Sequence, residues 1–114
     1  VRDAWVRLLP PSVKTTAAYL TLSSTQLDRL IAVESSIAEK VEMHESVMEN
    51  GMMSMSQIPS VLLTENVDAR LSPQGKHLMM IGLKRPLVKG ESIELKLKFE
   101  KNDALIVNAI VEQR

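Results

Sequence analysis

The sequence predicts an all-β protein, folded as an antiparallel Greek-key β-sandwich or a small barrel. Apolar and polar residues alternate with a period of two in almost every segment, which is the pattern of half-buried strands. Turn residues separate these runs into about eight or nine short strands, and helical periodicity is scarce. The predicted strands cover residues 4–8, 18–22, 30–34, 37–45, 61–63, 67–71, 77–83, 93–99 and 104–111.

Turn residues set the limits of these elements in chain order. Pro10-Pro11 ends the first run, and Ser23-Ser24 ends the second. A loose capping box, Thr25-x-x-Asp28, follows, but a helical turn there is too short to be stable. Residues 86–90 turn the chain into a strand that alternates apolar side chains with Glu and Lys, and a charged turn at 101–103 leads into the last strand. We expect one domain over residues 1–114.

Composition excludes several classes of function. The 114 residues carry 14 Lys and Arg against 14 Asp and Glu, with 45% hydrophobic residues and no long apolar run. We therefore expect a soluble monomer without a membrane span, a basic nucleic-acid surface or a polybasic membrane patch. The absence of cysteine excludes disulfide scaffolds, thiol chemistry and any blue-copper centre that needs a thiolate. Seven methionines, five of them between Met43 and Met55, are the unusual feature.

The Met-rich segment contains the most informative local signal. Asn50-Gly51 between two extended runs predicts a two-residue type I′ hairpin. This turn places Met48 opposite Met53, and it puts His44 and Met55 on one face as diagonal neighbours. An imidazole and a thioether can then share one ligand between them.

A second pair has the same character. In His77-Leu78-Met79, the period of a strand places the imidazole and the thioether on one face. Together the two pairs form a neutral, soft set of four donors, which suits Cu(I) better than zinc, calcium or magnesium. Because no ligand would be anionic, the set favours Cu(I) over Cu(II), and a carrier fits better than a redox protein.

These residues resemble a known family. The spacing His44-x10-Met55-x21-His77-x-Met79 is similar to the signature of the PCuAC copper chaperones, and further runs across the chain are similar as well: 4–7, 18–20, 48–51, 75–79 and 83–90. The resemblance implies a cupredoxin-like fold, a periplasmic location and delivery of Cu(I) to the CuA centre of cytochrome c oxidase. It implies Cu(I) ligation by His44, Met55, His77 and Met79.

The other methionines need separate interpretations. Met43 and Met80 fall on the face opposite their neighbouring histidines, so we expect them in the core. Met48 and Met53 share the ligand face near the hairpin tip, where they could guide Cu(I), present a docking surface or simply pack in a loop. Met52 should point away from that face.

Other prominent side chains have simpler explanations. We expect Trp5 and Tyr19 to be packing aromatics, Arg7 to be a surface ion-pair partner, and the acidic residues near the site, Glu42, Glu45 and Glu49, to form a solvated face. No catalytic constellation is evident, so we expect no enzyme.

The sequence therefore predicts a copper chaperone that binds one Cu(I) ion and transfers it by ligand exchange. The thioethers would release first while His44 and His77 hold the ion. Two alternatives stay open: a metal-free β-sandwich that binds a protein partner through the Met-rich hairpin, and a copper electron-transfer protein, which the lack of cysteine disfavours.

Overall fold

The computed structural model describes residues 1–73 and 75–113, so Gln74 and Arg114, both within the predicted domain, lie outside the described residues. The described residues form ten strands and no helix. None of the described segments could therefore cross a bilayer as a helix. The strands are β1 (Arg2–Arg7), β2 (Thr15–Leu22), β3 (Asp28–Glu34), β4 (Ala38–Glu49), β5 (Met52–Gln57), β6 (Val61–Leu63), β7 (Ala69–Leu71), β8 (Lys76–Leu83), β9 (Ser92–Phe99) and β10 (Leu105–Glu112).

The strands close into a barrel. The sheet runs β4-β8-β2-β1-β10-β9-β3, and pairing of Val33 with Val41 joins β3 back to β4, which closes seven strands. Strands β5, β6 and β7 add to β4, β3 and β2. The predicted all-β fold is confirmed. One pair departs from a purely antiparallel arrangement, because β1 runs parallel to β10.

Alternation along each strand fills the interior of the barrel. The inward positions are almost fully buried, as in Leu20, Leu78 and Leu97 at 1% exposure or less. Met43 and Met80, predicted as core residues, are also buried, at 6% and 0%. The opposite face of β4 and β8 is thus free to carry polar and metal-binding side chains.

The segment from Ser24 to Asp28 does not form a helical turn. Instead Ser24 bridges to Glu65, and Asp28 begins β3. The Asp28 carboxylate is buried and accepts hydrogen bonds from the backbone N–H of Arg29 at 2.7 Å and of Lys101 at 2.9 Å, and from the Asn102 side chain. The carboxylate thus ties β3 to the turn between β9 and β10 and does not cap a helix.

We expect Asp28→Asn to destabilise the fold at neutral pH and to reduce its sensitivity to acid. Burial raises the pKa of Asp28, but the hydrogen bonds from Arg29, Lys101 and Asn102 outweigh it and hold the pKa below its usual value. A lowered folded-state pKa contributes stability above the unfolded-state value, about 3.9, and that stability is lost as the pH falls further. Thermal unfolding between pH 7 and pH 2 measures both effects. Asp103→Asn, in the same turn but exposed, should change neither, and an equal effect of the two substitutions would contradict this account.

Candidate metal centre

The hairpin that carries the first His/Met pair has the predicted geometry. Asn50 and Gly51 both have positive φ, 52° and 77°, as a type I′ turn requires. In β4 and β5, Met48 lies opposite Met53 and Ser46 lies opposite Met55, while His44 faces Gln57. His44 and Met55 are therefore diagonal neighbours on one face.

Strand β8 brings the second pair next to the first. Along β4 and β8, His44 lies directly opposite His77, and Glu42 lies opposite Met79. The two imidazole rings stack with their centroids 6.1 Å apart and an interplanar angle of 27°. The structure therefore places all four predicted ligands on the outer face of the three neighbouring strands β5, β4 and β8.

The hydrogen bond of His77 fixes which ring nitrogen is available. Its Nδ1 lies 3.1 Å from the carbonyl oxygen of Gly75, which can only accept, so Nδ1 carries the proton. Nε2 then carries the lone pair. Such a bond on one ring nitrogen orients the ring and raises the basicity of the other, as in many metal-ligating histidines.

His44 has the opposite arrangement. Its Nε2 lies 3.0 Å from a carboxylate oxygen of Glu42, and an ionised carboxylate only accepts, so the proton is on Nε2. Nδ1 is therefore left with a lone pair, and it is buried without a hydrogen-bond partner in the part of the chain that the structure describes. An unsatisfied buried acceptor normally has a cost, which a bound cation would remove.

The four donors differ in their access to solvent. His77 is buried, at 4% exposure, Met79 is half-buried, and Met55 is 57% exposed. Met55, His77 and Met79 line one shallow cavity of about 250 Å³. His44 lies beside it, stacked on His77. The site is therefore anchored at the imidazoles and open at Met55.

An aromatic cluster supports the buried side of the site. Trp5 and Tyr19 are buried with ring centroids 4.7 Å apart, and the Tyr19 ring lies 6.4 Å from that of His77. Trp5 and Tyr19 are thus packing residues, as predicted. Arg7, predicted as an ion-pair partner, places its guanidinium carbon 5.4 Å from the centre of the Tyr19 ring. Burial raises the pKa of the Tyr19 phenol, and the charge of Arg7 partly opposes this rise.

The residues around the two histidines offer few other metal ligands. Among residues 1–73 and 75–113, no three His, Cys, Asp or Glu side chains form a group that could hold a metal. Besides the Glu42 carboxylate, which is hydrogen-bonded to His44, the donors placed beside the two imidazoles are the thioethers of Met55 and Met79. These two sulfurs and two nitrogens form a neutral set that is typical of a site for a soft monovalent cation.

The sequence interpretation missed the role of Glu42. It assigned Glu42, Glu45 and Glu49 together to a solvated face, but Glu42 binds His44 and is itself approached by Lys40 at 3.3 Å. The hydrogen bond with His44 holds the pKa of Glu42 below its usual value. The signal was present in the sequence, because a Glu two residues before a His on a strand shares its face.

Comparison with known proteins gives a family and a curated relative. Residues 1–111 match the profile of a family described as "Putative lipoprotein LpqE-like". A curated protein of Leifsonia xyli subsp. xyli, "Putative lipoprotein Lxx21020", is 33% identical over 102 residues, which are 87% of this chain and 60% of that protein. The chain thus spans about 60% of the length of this relative.

Solved structures share the fold. The copper-bound PCuAC domain from PmoF2 matches with a TM-score of 0.82 at 22% identity, over 99% of this chain and 91% of that one. At this identity, the likeness concerns the fold alone. The solution structure of the Cu(I) form of DR1885 from Deinococcus radiodurans matches with a TM-score of 0.80 at 33% identity, over 100% of this chain and 78% of that one. The predicted likeness to PCuAC proteins is confirmed.

Proposed function

Since this chain belongs to the LpqE-like lipoprotein family, we propose that it is a copper chaperone, which holds one Cu(I) ion and passes it to another protein. DR1885, one of the solved structures similar to this chain, was determined with Cu(I). The proposed role involves no catalysis. The names of the family and of the Leifsonia protein, both lipoproteins, support a location on the extracytoplasmic side of the envelope, in the periplasm where a cell has one.

The proposed ligands are His44, Met55, His77 and Met79. The observation that carries this assignment is the buried Nδ1 of His44, which has a lone pair and no partner among the described residues. The hydrogen bond from His77 Nδ1 to Gly75 leaves a second lone pair on the neighbouring ring. Two oriented imidazoles beside two thioethers provide a neutral site that suits a soft d¹⁰ ion such as Cu(I).

Transfer would proceed by exchange of one ligand at a time. Met55 is the most exposed of the four donors, so its sulfur leaves first and opens one position to a group of the acceptor. Met79, which is half-buried, follows, while the two histidines hold the ion. Thioether exchange changes neither the charge of the ion nor any protonation state. A thiolate-rich acceptor such as the CuA centre of cytochrome c oxidase would make the last step favourable. We propose that the protein transfers copper as a monomer.

An anaerobic titration with Cu(I) against a chromogenic chelator tests this function. We expect the protein to compete for one equivalent of copper, and added Cu(II) to give no intense visible band. If no competition occurs, the alternative of a metal-free module that binds proteins through its exposed Met-rich hairpin is favoured. An intense band with Cu(II) would instead indicate an electron-transfer centre.

We expect Glu42→Ala to weaken Cu(I) binding by about tenfold to a hundredfold, the usual effect of removing a carboxylate that orients a ligating histidine. Glu42 holds the proton of His44 on Nε2 and thereby leaves Nδ1 free. Glu42→Gln, which keeps an acceptor oxygen without the charge, should lie between Glu42→Ala and the wild type.

Glu45→Ala is the matched control, because Glu45 is on the other face of β4. It should leave the Cu(I) affinity unchanged in the same competition assay. If Glu42→Ala bound Cu(I) more tightly than the wild type, the copper nitrogen of His44 would be Nε2, and the assignment of Nδ1 would be wrong.

A further inference from the structure

Three exposed thioethers lie together on one face of the hairpin: those of Met48, Met53 and Met55. Of these, Met55 alone also belongs to the set of four proposed ligands. Met48 is directly opposite Met53, and Met55 is diagonal to Met48 on the same face. Their side chains are 65%, 58% and 57% exposed, respectively. Side chains opposite one another across an antiparallel pair have Cβ atoms about 5 Å apart, and diagonal neighbours about 7–8 Å apart, so three flexible thioethers can meet on one ion.

The position of this group in the fold gives it free access. The register between β4 and β8 ends at Glu45 and Lys76, with one further hydrogen bond from the Ser46 N–H to the Gly75 carbonyl, so the tip of the hairpin, residues 47–54, extends past the end of β8. β5 is the last strand of the sheet on this side. None of the three sulfurs serves the core, whose methionines are Met43 and Met80.

We propose that Met48, Met53 and Met55 form a second, weaker Cu(I) site, which takes up the ion from solution or from a donor and passes it inward to the histidines. This inference rests on the proposed function and adds a route to it. Three neutral thioethers suit Cu(I), which prefers sulfur, and they bind it without releasing a proton. Met55 belongs to both sites, so the ion stays bound to its sulfur while the imidazole nitrogens of His77 and His44 replace the sulfurs of Met48 and Met53.

The other face of the hairpin carries a methionine that serves as a control. Met52 is on the same hairpin and is 72% exposed, but it lies opposite Glu49 on the other face. Substitution of an exposed methionine by leucine removes the sulfur and keeps an apolar side chain of similar size. The double variant Met48→Leu/Met53→Leu therefore differs from Met52→Leu chiefly in which face has lost its sulfurs.

Stopped-flow uptake of Cu(I) from its chromogenic chelator complex, with equilibrium competition in parallel, tests the proposal. We expect Met48→Leu/Met53→Leu to take up copper about tenfold more slowly, with an equilibrium affinity within about twofold of the wild type. Met52→Leu should match the wild type in both measurements. Equal uptake rates for the double variant and Met52→Leu would overturn the proposal.

A variant that lacks both histidines tests whether the three hairpin thioethers bind Cu(I) by themselves. His44→Ala/His77→Ala should retain weak Cu(I) binding, and adding Met48→Leu/Met53→Leu should abolish it. If that weak binding survives without the two sulfurs, the hairpin site is wrong although the chaperone function can still hold. If only transfer between proteins slows in Met48→Leu/Met53→Leu, with uptake from the chelator unchanged, the hairpin is a protein docking surface and not a copper site. If the wild-type protein takes up no Cu(I) at all, the proposed function itself fails.

Discussion

His77→Ala is expected to lower the affinity for Cu(I) by about a hundredfold or more, since it removes one of four donors and the one with the most fixed position. The ring of His77 is buried, and its Nδ1 is held by the Gly75 carbonyl at 3.1 Å. Its Nε2 is therefore oriented before the metal arrives, so binding requires little ordering of this side chain. Anaerobic competition with a chromogenic chelator measures the loss.

Two further variants separate ligand loss from misfolding. His77→Gln keeps most of the side-chain volume and should lose affinity to a similar extent. Lys76→Ala, at the adjacent position of β8 with its side chain on the other face, should bind Cu(I) as the wild type does. Thermal unfolding of all three shows whether the fold persists. A folded His77→Ala protein with wild-type affinity would exclude His77 as a ligand.

Trp5→Ala is expected to destabilise the fold by about 3–5 kcal/mol, the usual range for truncating a buried aromatic side chain. Trp5 is 5% exposed and packs on Tyr19 with a tilt of 39° between the rings. The cluster of Trp5, Ala17 and Tyr19 is separate from the barrel core, so the truncation removes the ring that packs against Tyr19. A loss of this size is a large part of the free energy of unfolding of a small domain.

Urea unfolding of Trp5→Ala, Trp5→Phe and Val88→Ala, followed by circular dichroism, measures this effect. Trp5→Phe keeps an aromatic ring against Tyr19 and should retain most of the stability. Val88, at 63% exposure, should contribute within about 0.5 kcal/mol. If Trp5→Ala were as stable as Val88→Ala, the outer aromatic cluster would have no structural role.

Much of the secondary structure could be predicted from the sequence, because period-two alternation and turn residues act locally. The predicted strand at 93–99 appears as Ser92–Phe99, and that at 77–83 as Lys76–Leu83. The first two strands begin earlier than predicted, at Arg2 and Thr15. Their ends carry little alternation, and pairing with neighbouring strands extends them.

The hairpin register was also determined by the sequence alone. Asn50-Gly51 allows a two-residue turn with positive φ at both positions, and the length of that turn fixes every pair from Met48–Met53 outward. The diagonal placement of His44 and Met55 follows from this local geometry. The core positions of Met43 and Met80 follow from the same alternation.

Only the tertiary structure decided how the two His/Met pairs meet. Alternation places His77 and Met79 on one face, but it does not state which strand lies beside β8. Closure of the barrel brings β4 there, with His44 opposite His77. The parallel pairing of β1 with β10, between opposite ends of the chain, likewise depends on closure.

The chemistry of the individual nitrogens depends on contacts between residues that are close in sequence. A sequence names two imidazoles, but the free lone pair of each depends on what its other nitrogen binds. In this protein the Gly75 carbonyl binds one ring and the Glu42 carboxylate binds the other. The local pattern thus determined which residues could bind copper and which groups orient their rings. Long-range packing determined that the two imidazoles stack and that His77 is buried beside Tyr19, because these contacts depend on strands brought together only when the barrel closes.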